Sequence, residues 1–141
     1  MSLFKNFGKV IPLYAAVMLL FCVPAQAEEK ITLSTDDSFY TLAHKMIDFG
    51  AGIGGYYVCK KDLIDNSAVD TENVVAWLDI YARETGQEKI ALMLMEIMWN
   101  LFKVQAVHYL DLLEAGETAK QKEMCDVLVP LYERLEFPKR N

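Results

Sequence analysis

The chain has 141 residues, of which 53% are hydrophobic and 24% charged, with a net charge of −6. Its only adjacent basic pairs are Lys60-Lys61 and Lys139-Arg140. That is too little clustered positive charge for nucleic acid or an anionic lipid surface, and the length suits one domain with a single core.

The first residues, MSLFKNFGKVIPLYAAVMLLFCVPAQAEEK, carry Lys5 and Lys9 before an apolar run from Val10 to Val23. Ala25-Gln26-Ala27 then has the small-x-small form of a cleavage site, so residues 1–27 read as a secretory signal peptide. The run is shorter than the about 20 apolar residues a membrane span needs, so no stable membrane insertion is expected after cleavage. Removing two lysines and no acids takes the charge from −6 to −8. Export to a periplasmic or extracellular, oxidising compartment follows. There the two remaining cysteines, Cys59 and Cys125, are expected to form one disulfide.

Residues 28–35 read as a flexible leader and residues 36–137 as a single helical domain. A first helix is expected after Ser34 or Thr35, with Asp36 and Asp37 at the positive end of its dipole. Its apolar residues Phe39, Leu42, Met46, Phe49, Ile53 and Tyr56 alternate spacings of three and four, a bundle repeat. The helix is expected to reach Asp65-Asn66.

The repeat passes through Gly50 to Gly55, GAGIGG, without losing phase. As G-x-G-x-x-G this stretch has the form of a dinucleotide-binding turn, but that turn requires a preceding strand and a βαβ unit. Helical phase on both sides predicts a packing feature instead, with a helix break as the rival reading. Gly52, Gly55 and Cys59 share one side of the helix. If Cys59 bridges Cys125, that side meets Leu128, Val129 and Tyr132 of an antiparallel fourth helix.

A second helix is expected to be capped near Asp70-Thr71 and to stop at Thr85-Gly86, where glycine supplies a left-handed end. A third begins T-G-Q-E, with Thr85 and Glu88 at capping-box spacing, and runs to Ala115-Gly116. Lys89, Glu96, Asn100, Lys103, Asp111 and Glu114 fall in one wedge of about 80°, and nearly all its other residues are apolar. Such a helix is either central in its domain or half in an interface; Trp99, Phe102 and Tyr109 are the candidate partner surface. A fourth helix is expected from Thr118, with Gln121 completing a capping box and Pro130 kinking or breaking it. The tail from Phe137 is expected to fray. Short connections make the whole an antiparallel, all-α four-helix bundle.

No nucleophile motif, catalytic carboxylate spacing or metal-ligand spacing emerges. Met93 and Met95 point apart on a helix, so core packing outweighs a copper site. His44 and His108 lack a C-x-x-C-H haem signature or a Glu-x-x-His pair. No cofactor and no enzymatic activity are therefore expected. The expected function is protein–protein binding, as in a small inhibitor- or immunity-type protein, with another exported protein or a second copy of the chain as partner. The alternatives are an acid- or stress-responsive periplasmic chaperone, and a ligand or haem carrier with an apolar interior.

Overall fold

The computed structural model describes residues 29–60 and 67–139. Four helices follow in order: α1 (Phe39–Lys60), α2 (Ser67–Thr85), α3 (Glu88–Glu114) and α4 (Thr118–Arg134). Cys59 on α1 is bonded to Cys125 on α4, with Cα atoms 5.8 Å apart. The all-α class, the bundle and the α1–α4 disulfide are thus as expected. How far α1 extends toward Asp65-Asn66 lies outside the described residues.

The bundle is organised around α1. Leu42, Met46, Phe49 and Ile53 are fully enclosed, and every residue from Phe49 to Gly55 is buried. A helix buried all round needs neighbours on opposite sides, and the glycines let two backbones come close. A Cβ on Gly50 would stand 2.2 Å from the Met98 carbonyl oxygen, and one on Gly54 2.7 Å from that of Phe102. Both contacts ascend together, so α1 and α3 run in the same direction. On the other side, a Cβ on Gly52 would meet Leu135 at 2.9 Å and one on Gly55 would meet Leu128 at 2.4 Å. There the numbers run oppositely, so α4 is antiparallel to α1. GAGIGG is therefore continuous helix wedged between two others, and the break is not present.

α3, the most apolar helix by sequence, is not the central one. Its buried residues are only Ala91, Leu94, Met98 and Leu112.

Several helix ends differ from expectation, most because the polar groups bond within their own turn and Asp70 because distant helices claim it. α1 starts at Phe39, with Ser38 Oγ accepting the Thr41 N–H at 3.2 Å. The preceding residues form a turn in which the Asp37 N–H bonds the Ser34 carbonyl, and Asp37 pairs with Lys45 at 2.7 Å. α2 starts earlier, at Ser67. Thr71 does not cap it; its hydroxyl donates back to the Ser67 carbonyl at 2.9 Å, and Asp70 is engaged by two tyrosines. Neither expected capping box forms: α3 and α4 follow Gln87 and Glu117, with no side-chain cap bond at either. Thr85 instead donates to the Tyr81 carbonyl at 2.6 Å, closing α2. Gly86 and Gly116 supply the left-handed φ of 70° and 71° that let the chain turn after α2 and α3. α4 runs through Pro130 to Arg134. Pro130 and Asp126 are both exposed, so the Asp126 carbonyl that proline leaves without a helical donor can be hydrated.

The leader and tail are pinned to each other. The Ile31 N–H donates to the Arg134 carbonyl at 2.8 Å and the Glu136 N–H donates to the Ile31 carbonyl at 3.0 Å, while the Ile31 side chain is buried. Phe137 stands edge-on to Phe49 with ring centres 5.5 Å apart. Residues 31 to 35 are thus no loose leader, and Phe137 does not fray.

Candidate functional site

Among the described residues, six of the eleven exposed large hydrophobic side chains lie on α3, and five of them share its solvent face. Leu92, Met93, Val104, Val107 and Leu110 are exposed by 54%, 50%, 57%, 56% and 56%. At 100° per residue all five lie within about 60° of Val107. Lys89, Glu96, Asn100, Lys103, Asp111 and Glu114 share this face and are exposed too. The opposite side carries Leu94, Met98 and Leu112 into the core. The burial pattern is that of a two-sided helix, one side holding the bundle together and the other a mixed apolar and charged strip about 40 Å long.

By length and composition α3 could cross a bilayer; among the described residues it is the one helix that could. Its charged residues, however, point outward, whereas intramembrane charges face a bundle interior. The strip interleaves the two kinds of residue, with Lys89, Glu96, Asn100 and Glu114 along its middle around Val107 and Leu92, Val104 and Leu110 to either side.

Trp99 is half-buried at the edge of this strip, about 80° from Val107, whereas Phe102 and Tyr109 are half-buried about 140° and 160° from it, on the side of α3 that faces the bundle. Trp99 and Phe102 meet edge-on at 5.7 Å and pack against the core. The more exposed residues, Val104, Val107 and Leu110, are missed by counting apolar residues alone. Their signal is angular: Val107 falls in the middle of the polar wedge. Of the residues placed opposite the glycines, Tyr132 lies against Gly52 and Leu128 against Gly55. Val129 is half-buried on α4 and is not among the atoms nearest either glycine; Leu135 takes that place beside Gly52.

A second feature, not legible from sequence, gathers three helices at one carboxylate. The hydroxyls of Tyr57 on α1 and Tyr132 on α4 both donate to Asp70 Oδ2 on α2, the latter at 2.6 Å. The two hydroxyls are 3.3 Å apart, and Tyr56 stacks on Tyr132 with ring centres 3.8 Å apart. Burial, with the bond to Asp70, pushes the Tyr57 hydroxyl up to about 12. The same causes raise Tyr132 well above the usual tyrosine range. A folded-state value above the unfolded one, near 10, means that this contribution to stability is intact below about pH 10 and is lost as pH rises toward 12. Tyrosinate absorbance should therefore show Tyr57 and Tyr132 ionising only as the chain unfolds. Titration of Tyr57 and Tyr132 within a still-folded chain near pH 10 would contradict the network.

A polar cleft at the start of α1 is lined by Tyr40, His44, Lys45, Asp48 and Arg134. Burial raises the Asp48 carboxyl, while Arg134 and His44 draw it back down. His44 is exposed and edge-on to Tyr40 at 4.5 Å; His108 is exposed on the far half of α3. Met93, Met95 and Met98 are respectively exposed, half-buried and buried, so they do not converge. Among the described residues, no three His, Cys, Asp or Glu side chains gather closely enough to hold a metal ion.

Protein-family models, curated proteins and solved structures give no match to this chain. The functional reading therefore rests on the molecule's own surface.

Proposed function

We propose that this is an exported protein that acts by protein–protein binding through the solvent face of α3, the partner being another exported protein, in the manner of a small inhibitor- or immunity-type protein, or a second copy of the chain. The observation that carries the reading is the set of five apolar side chains, each at least half exposed, on one face of one helix. Leu92 and Met93 toward one end of the helix and Val104, Val107 and Leu110 toward the other make two exposed apolar groups on one face, and clustered exposed apolar area rimmed by polar residues marks an interaction surface. The leader pattern of residues 1–27 and the disulfide support the exported setting.

The test joins export to binding. The mature chain recovered from the exported fraction should begin at Glu28 by mass, and a tagged chain should retain one exported protein in a stoichiometric complex. Val107→Glu, at an exposed position, should leave folding intact and abolish the complex. Val69→Glu, equally exposed but on α2, should leave it in place. Equal retention by both variants would remove α3 from the interface; no retention even by the parent chain would remove the function.

A further inference from the structure

The α3 strip carries its own complement when read backwards. Lys89 lies eleven residues before Asn100 and Asp111 eleven after; Met93 lies seven before and Val107 seven after. Glu96 stands four before and Lys103 three after. We infer that the strip is occupied by a second copy of this chain, two α3 helices pairing antiparallel about a two-fold axis at Asn100. This rests on the reading of the α3 face as the binding surface and names its occupant.

The charges argue for this arrangement. A two-fold contact makes residue i face residue j and j face i. In the antiparallel register Lys89 meets the other copy's Asp111, and Glu96 meets its Lys103, each pair occurring twice. The Glu96 and Lys103 positions lie on the same flank of the strip, so their side chains meet across the seam. Parallel pairing would set Glu96 against Glu96, Lys103 against Lys103 and Asp111 against Asp111, and is disfavoured. The apolar groups agree as well. Leu92 and Met93 at one end of the helix are brought onto Val107 and Leu110 at the other. α3 spans Glu88–Glu114, so an axis at Asn100 is one residue from its midpoint and nearly the whole helix overlaps. Asn100 then faces its own copy at the centre of the seam, where a paired Asn fixes register and orientation.

Sedimentation equilibrium of the intact, disulfide-bonded chain reads the pairing directly. The parent should be a dimer. Glu96→Lys and Lys103→Glu, both at exposed positions, should each weaken association at least about tenfold by setting like charges together, and the double exchange should return to within about threefold of the parent. Asn100→Cys should form a disulfide-linked dimer on a non-reducing gel, while His108→Cys, off the strip, should not. A parent monomeric at about 1 mM, a double exchange that fails to recover, or an Asn100→Cys chain that does not cross-link would each overturn the self-pairing. A monomer that still forms a Val107→Glu-sensitive complex with an exported protein overturns self-pairing while sparing the protein-binding reading. A monomer with no such complex overturns both. Flotation with phosphatidylcholine vesicles that is lost in Val107→Glu would assign the strip to lipid and also overturn it.

Discussion

The double variant Cys59→Ser, Cys125→Ser is expected to lose about 4 kcal/mol of unfolding free energy. The bridged cysteines are 66 residues apart in sequence, so the closed loop contains all of α2 and α3. Opening it returns loop entropy to the unfolded chain by that amount on the chain-entropy account. Against a typical total of about 5–15 kcal/mol, this decides whether the bundle survives at physiological temperature. In the folded state, the bond also ties the C-terminal end of α1 to α4 next to the Tyr57–Asp70–Tyr132 cluster, so its loss should loosen the start of α2 first. Urea unfolding of the parent and the double serine variant measures the difference, with the midpoint falling and the slope rising as the unfolded chain expands. A loss under about 1 kcal/mol would mean that glycine-mediated packing holds α1 and α4 without the cross-link, and that the entropic account fails here.

The part of the fold that could be read from sequence is the part written in periodicity. The three–four spacing through Phe49, Ile53 and Tyr56 required α1 to stay helical across four glycines, and it does. The wheel that grouped Gly52, Gly55 and Cys59 also pointed that side at α4. The same wheel contained Gly50 and Gly54, four residues apart on the opposite side. Small residues at that spacing are the signal for close approach of a second helix, and it was overshadowed by the dinucleotide pattern. Recognising it would have placed α1, flanked by α3 and α4, at the centre and released α3 to be half exposed. Polar residues were the less legible part. Asp70 and Thr71 have the right chemistry for a cap, yet Asp70 is claimed by Tyr57 and Tyr132 from helices 13 and 62 residues away in sequence. Tertiary partners of that kind leave no local trace. The bridge between Ile31 and Leu135 is equally non-local, which is why a segment that reads as a leader is a structural strap.

Gly50→Ala and Gly52→Ala are expected to differ sharply although both add one methyl to the same helix. In an exposed helix either change would stabilise by about 1 kcal/mol, since alanine is the better helix former. At Gly50 the new carbon would stand 2.2 Å from the Met98 carbonyl oxygen and 2.9 Å from Leu101 Cβ. Neither atom can swing aside without moving the α3 backbone, so α1 and α3 must separate and the core around Met98 must open. Overpacking of this kind costs about 1–3 kcal/mol and sometimes more; a backbone obstacle belongs at the upper end, for a net loss of about 2 kcal/mol. At Gly52 the nearest atom is Leu135 Cδ1 at 2.9 Å, with the Tyr132 backbone no closer than 3.4 Å. A leucine methyl can rotate, so the gain in helix propensity roughly offsets the crowding and the net change stays within about 1 kcal/mol. Gly54→Ala, facing the Phe102 carbonyl at 2.7 Å, should follow Gly50→Ala. Thermal unfolding of the three variants beside the parent measures the ordering, with Gly50→Ala and Gly54→Ala falling several degrees and Gly52→Ala close to the parent. If Gly50→Ala proved as stable as Gly52→Ala, α1 and α3 would not be in backbone contact, and the central place of α1 in the bundle would have to be given up.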